Sequence, residues 1–382
     1  MRIERGLALL FACAGGMLAA APAAAACAAG TSTIDVTLTT GSRWELCAES
    51  RAEEGIVLHD VFFTPPSNTR RSVLKEASLS QLYVVYDDDS ARRLVVTDPG
   101  LGGSSFVALA AEDCPSGTRY QNDALCATAS ARGYVWKDDS ANRQGYWLEL
   151  FSISRTDTLT WIVRWRLYDD GTVESALGSS GTLPALGNDS SYGSAVGGLG
   201  GQVAVGWFAN ATWRLDFDIG TSSADDFVER FEVTNTDSTK SLSRTPISTE
   251  VGETYSPAVK RAWRVRDSST TNSDGHPISY YFEPMQTGHH YAAKASEPWA
   301  AYDFAVTVRN PCERFAAGNP TAGGCAADLA GFLNGQSATG DIVVWPRTTV
   351  HHLPHDEDYP YLGTTWQSVA FGPRDWTSVN PL

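Results

Sequence analysis

Trp207-Phe208-Ala209-Asn210-Ala211-Thr212-Trp213-Arg214-Leu215-Asp216-Phe217-Asp218-Ile219 is the most informative stretch of the chain. Every odd position is apolar, and the even positions include Asn210, Thr212, Arg214, Asp216 and Asp218. Successive side chains of a strand point to opposite faces, so the stretch predicts a strand with one core face and one polar face. Leu159-Thr160-Trp161-Ile162-Val163-Arg164-Trp165-Arg166-Leu167 alternates in the same way. Strands are also expected at Gln81 to Tyr86, Tyr146 to Ile153, Gln202 to Ile219, Arg261 to Val265, Ile278 to Phe282 and Asp303 to Val308. All are rich in aromatic and β-branched residues. Turn residues separate them, as in Asp169-Asp170-Gly171 and Asn188-Asp189-Ser190. Helix candidates are few and short, with Ala326 to Leu333 the best. The expected fold is mainly β: one large antiparallel β-sandwich, with no internal repeat and no dividing linker.

Composition narrows the function. The chain has 382 residues and a formal net charge of −15. So acidic a protein is a poor nucleic-acid binder, because phosphate recognition needs a basic face. Residues 1–26 start net positive, continue as an Ala- and Leu-rich stretch from Gly6, and end in Ala24-Ala25-Ala26. They read as a secretory signal peptide, which leaves residues 27–382 as a single domain, secreted or periplasmic. A lipidated Cys27 is a weaker reading, since Ala24 stands where a leucine is expected. Of the seven cysteines, Cys13 falls in the leader. The other six lie close in sequence as Cys27 and Cys47, Cys114 and Cys126, Cys312 and Cys325. Near-neighbour disulfides are the simplest of many possible pairings. No later apolar stretch is long enough to span a bilayer.

The order of motifs then resembles the catalytic domain of the copper/quinone amine oxidases. The similarity runs through Glu54 to Val61, Lys75 to Tyr86, Asp98-Pro99-Gly100, Asp113-Cys114 with Cys126, and Arg155-Thr156. It continues through Trp165, Gly171 to Val173, Arg214 to Asp218, Asp341 to Trp345, His352-Leu353-Pro354, Glu357 to Pro360 and Val379-Asn380-Pro381. The resemblance implies the family's sandwich fold and homodimers, with the amino-terminal accessory domains lacking here. It places a catalytic-base aspartate at Asp98, a quinone-contacting tyrosine at Tyr86 and one copper histidine at His352. It also implies a peripheral calcium-type site from the side chains of Asp216, Asp218 and Asp341 and the carbonyls of Phe217 and Ile342. Hard cations want several oxygens at once.

Three departures bear on function. Counting from Trp165, the tyrosine that matures to topaquinone falls on Leu159, between Thr158 and Thr160. Counting from Arg214, the His-x-His copper pair falls on Trp207 and Ala209. Copper and topaquinone are therefore expected to be absent, and the pocket is expected to be refilled as core. The leading expectation is an exported binding, structural or accessory protein with a small-molecule or protein ligand. Two alternatives are weighed against it. One is an oxidoreductase with relocated ligands among His289, His290, His351, His352 and His355. Residues one or three apart on an extended segment do not share a face, which weakens it. The other is a non-redox enzyme using Asp98 and His352 as acid and base. Trp161 and Trp207 are expected to be packing residues, and Gly197 to Gly201 lacks a phosphate-loop frame.

Overall fold

The structure, a computed structural model, describes residues 27–66, 69–236, 238–282 and 290–382. Among these residues, two large antiparallel sheets of nine and eleven strands dominate. The first runs, in spatial order, through Ser32–Thr37, Arg43–Arg51, Gly55–Thr64, Arg71–Tyr86, Trp207–Gly220, Ile342–His352, Phe304–Val308 and Val251–Glu253. The second places Val173–Gly181 beside Leu362–Arg374, followed outward by Leu159–Tyr168, Asn142–Thr156 and Leu125–Lys137. A small sheet joins Leu186–Gly187, Gly193–Ala195 and Val203–Val205. Helix is scarce; a single α-turn, Leu329–Phe332, lies inside the expected segment, with the Asp328 side chain capping Gly331 N at 3.0 Å.

The alternating strands pack as their patterns predict. In Leu159–Tyr168 each odd residue is buried and each even one is half-buried. Trp165 of this strand meets Trp213 of the facing sheet edge to face, with ring centroids 5.1 Å apart. The Gln367 side chain crosses the same interior and donates to the Ala209 carbonyl at 3.2 Å. Gly171 turns the chain between two strands at φ 92°. A Cβ there would lie 2.6 Å from Pro373 Cγ and 2.7 Å from Phe63, so only glycine fits.

Trp207–Gly220 departs from expectation on one face. Its even residues Asn210, Thr212, Arg214 and Asp216 are buried as well. The chain between Tyr291 and Leu333 lies over that face, and it and the neighbouring strands supply partners for most of its polar groups. Arg214 Nε donates to the Glu313 carbonyl at 3.1 Å. Thr349 Oγ1 donates to Asn210 Oδ1 at 2.9 Å, and Asn210 Nδ2 donates to the Tyr83 carbonyl at 3.1 Å. A second apolar layer forms there from Ala305, Ala316, Leu329, Phe332, Val343 and Trp345. Polar residues tolerate burial when hydrogen-bonded, which is why this face still reads as polar in sequence.

Three disulfides join Cys27 to Cys47, Cys114 to Cys126 and Cys312 to Cys325, the near-neighbour pairing. No described helix is long and apolar enough to cross a membrane.

Candidate functional site

The strand register brings the three copper-type positions together. Trp207 stands opposite Tyr86 on one side and His352 on the other, and Ala209 stands opposite Val350. Trp207 and Ala209 are buried within the core. The Trp207 indole stacks on the His352 ring, with centroids 4.2 Å apart and planes 30° apart. His352 is in turn fixed by Asp358, whose Oδ2 lies 2.8 Å from Nε2. One imidazole, one indole and one methyl group thus occupy the positions where the resemblance places three imidazoles. These residues do not fit a bound copper, since indole and methyl groups carry no lone pair for a metal.

Leu159 is also buried, but the space beside it is only partly refilled. A cavity of about 220 Å³ is walled by Val84, Tyr86, Val95, Leu159, Trp161 and Pro184. Burial raises the Tyr86 phenol above its ordinary value. Arg93 and Asp157 line the same cavity and are ion-paired. They also line an outer groove of about 480 Å³ that contains Asp98. Asp98 is exposed there, beside Arg92, Arg93, Thr97 and Pro99, and His352 does not line that groove.

The histidines behave differently from the expectation for an extended segment. The chain turns at Asp356–Asp358, and the rings of His352 and His355 come to 5.9 Å between centroids. Asp358 lies between them, with Oδ1 3.6 Å from His355 Nε2. His351 points to the opposite face, stacked on Phe208 and paired with Asp87 at 2.9 Å. His290 pairs with Asp303 at 3.2 Å. His289 lies outside the described residues.

At the calcium-type set, Asp216 is buried and its Oδ1 has no hydrogen-bond partner. Burial pushes its carboxyl up to about 6. Burial also raises Asp218 and Asp341. An arginine that the sequence did not flag joins the group. Arg309 Nε donates to Asp216 Oδ2 at 2.8 Å and Nη1 lies 4.0 Å from Asp341. Arg214 approaches Asp216 Oδ2 from its own strand, at 3.4 Å. The ladder also breaks register around Phe217, between Asp216 and Gly220. The set retains its carboxylates and an unpartnered oxygen, so its donors fit a hard cation. That cation would displace the Arg309 guanidinium from Asp216.

Comparisons with known proteins agree with this frame. Residues 138–382 match the family model described as copper amine oxidase, enzyme domain. Histamine oxidase of Arthrobacter globiformis is 24% identical over 88% of this chain and 55% of its own length. Primary amine oxidase of Arthrobacter sp. (strain P1) is 22% identical over 90% of this chain and 59% of its own. This chain therefore spans little more than half the length of these relatives. Among solved structures, an amine oxidase of Aspergillus nidulans superposes with a TM-score of 0.76 at 20% identity. It covers 100% of this chain and 56% of its own. The lysyl oxidase of Pichia pastoris gives 0.75 at 18% identity, over 88% and 52%. The chain belongs to the copper amine oxidase family, through its enzyme domain.

Proposed function

We propose that this chain is an exported binding or accessory protein, built on an amine oxidase domain that no longer oxidises amines with copper and quinone. The carrying observation is the residue set at the centre, Leu159, Trp207 and Ala209, with His352 stacked on Trp207. The family normally uses copper and topaquinone. Leucine has no phenol to oxidise, and a single imidazole cannot hold copper against water. The cavity beside Leu159 supports a binding role. Its volume of about 220 Å³ suits a small molecule, and its mouth offers one cation and one anion, Arg93 and Asp157. Export is supported by the composition of residues 1–26, which lie outside the described residues, and by the three disulfides. We also propose the family's homodimer, and a calcium-type ion at Asp216, Asp218 and Asp341 in exchange for Arg309.

The deciding experiment is metal analysis, a visible spectrum and a peroxide assay with primary amines on the purified protein. The expected result is no stoichiometric copper, no visible band and no peroxide. One copper per chain with amine-dependent peroxide would overturn the reading. A second reading, a redox centre with relocated ligands, draws on the approach of His352, His355 and Asp358. A redox metal lost on His355→Ala would favour it instead.

A further inference from the structure

The crossover between the two large sheets carries a feature outside the residues described so far. Trp207–Gly220 ends in the first sheet, and Asp226–Asn235 begins in the second. Three carboxylates gather at this corner. One oxygen from each of Asp225, Asp226 and Asp267 lies within 4.8 Å of the others. Asp226 and Asp267 are direct cross-strand partners. Both are completely buried.

The hydrogen bonds of this group are incomplete in a consistent way. Asp226 Oδ2 accepts Ile219 N at 3.0 Å. Asp267 Oδ1 accepts Ser269 N and Thr270 N, each at 2.6 Å. The remaining oxygens, Asp226 Oδ1 and Asp267 Oδ2, have no partner, and neither does Asp225 Oδ1. Each carboxylate is thus anchored or placed by the fold and keeps one buried oxygen free. Among the described residues no lysine, arginine or histidine forms an ion pair with any of the three. Arg71, whose charge acts on Asp267, donates instead to the Trp376 carbonyl at 2.8 Å. Gly220 lets the backbone pass close beside the group. A Cβ there would lie 2.4 Å from Asp267 Oδ2 and 3.0 Å from Thr270 Oγ1.

We propose that Asp225, Asp226 and Asp267 bind a hard divalent cation of the calcium type, which locks the crossover between the sheets. Buried carboxylates with free oxygens and no cationic side chain require a counter-charge, and oxygen-only donors select a hard ion. Donors from two paired strands and the residue just before one of them, with a hydroxyl close by, suit the loose geometry of calcium better than the strict octahedron of magnesium. Its ligands differ from those of the Asp216, Asp218 and Asp341 set, where Arg309 supplies the positive charge, although the Asp218 charge is felt by Asp225 and Asp226.

The test is calcium titration of the chelator-stripped full chain by calorimetry, with thermal melts alongside. Asp226→Asn and Asp267→Asn are compared with the parent, with Asp216→Asn as the control for the other set. Calcium at a hundredfold excess over Kd should raise the parent Tm by about 5 °C. Asp226→Asn and Asp267→Asn should each lose the equivalent of calcium bound at this site and most of that rise; Asp216→Asn should keep this equivalent and its share of the rise, losing only the ion proposed at its own set. Asp225→Asn changes only the half-exposed ligand, so it reads out the site if the buried variants fold poorly. It should weaken binding by about tenfold. The proposal is overturned if the parent neither binds calcium nor responds to it, or if Asp225→Asn, Asp226→Asn and Asp267→Asn respond like the parent. It is overturned equally if Asp216→Asn alone abolishes the response. A magnesium response equal to that of calcium would overturn the choice of ion.

Discussion

At the scale of single residues, the centre of this domain shows how few changes separate a metal site from a packed core. Trp207 and Ala209 keep the apolar parity of their strand, so their replacements for imidazole cost the fold nothing obvious. The register leaves them beside His352. Restoring the pair, Trp207→His with Ala209→His, should create a copper site from three histidines. Without metal the variant should be less stable by roughly 2–4 kcal/mol, because the indole leaves a cavity. Copper should recover part of that loss in a thermal melt, whereas the parent should not respond.

Glu313 makes a second prediction at this scale. It is buried under the first sheet, and its Oε2 has no partner. Burial pushes its carboxyl from 4.5 up to about 7. The folded chain therefore keeps a proton that the unfolded chain releases across that window. The stability contribution is complete below the unfolded value and is lost as pH rises through the folded one. Glu313→Gln should flatten the fall in stability between about pH 5 and about pH 8, by roughly 1–3 kcal/mol. Urea melts at the two pH values, compared with the parent, check it. An unchanged slope would place the carboxylate in a more polar setting than this one.

At the scale of elements, the chain from Tyr291 to Leu333 has the largest effect on what can be read in advance. It lies over the outer face of Trp207–Gly220 and turns a polar strand face into a buried one. Apart from the strand Phe304–Val308 and the turn Leu329–Phe332, this covering chain has little regular structure, and it is held by the disulfide from Cys312 to Cys325. Replacing both cysteines by serine should cost about 3 kcal/mol and make the 291–333 segment the first site of limited proteolysis. Cleavage elsewhere first would show that its apolar contacts suffice. The strands themselves were legible wherever alternation was strict. Leu159–Tyr168 was bounded within a residue because one of its faces meets the core and the other does not. Within the covering segment only the strand Phe304–Val308 and the turn Leu329–Phe332 were legible; the rest was not, because its contacts come from turns and single aromatic residues without a period.

At the scale of the molecule, the two sheets are joined by large side chains rather than by many hydrogen bonds. Trp165→Ala or Trp213→Ala removes half of the edge-to-face pair in the interior. Each should cost about 3–5 kcal/mol in denaturant melts. Leu353→Ala, at a residue 63% exposed, should stay within about 0.5 kcal/mol of the parent. A similar loss at all three positions would mean that the sandwich interior is not the main source of stability. Light scattering on the purified chain tests the proposed homodimer, which the family implies.

The sequence by itself determined the strand phases, the sandwich class and the family resemblance, and it marked Leu159, Trp207 and Ala209 as misfits. These are properties of local alternation and of motif order, which survive at low identity because burial constrains them. The structure chose the near-neighbour cysteine pairing among the many possible. Only the tertiary structure decided which charges meet. Arg309 reaches Asp216 from 93 residues away, and Asp267 joins Asp225 and Asp226 through cross-strand pairing. It also showed that the space beside Leu159 stays partly open and that His352 and His355 converge on Asp358. Charge pairing and cavity shape depend on distances between segments that no local pattern encodes, so they follow from how the sheets and the covering chain pack.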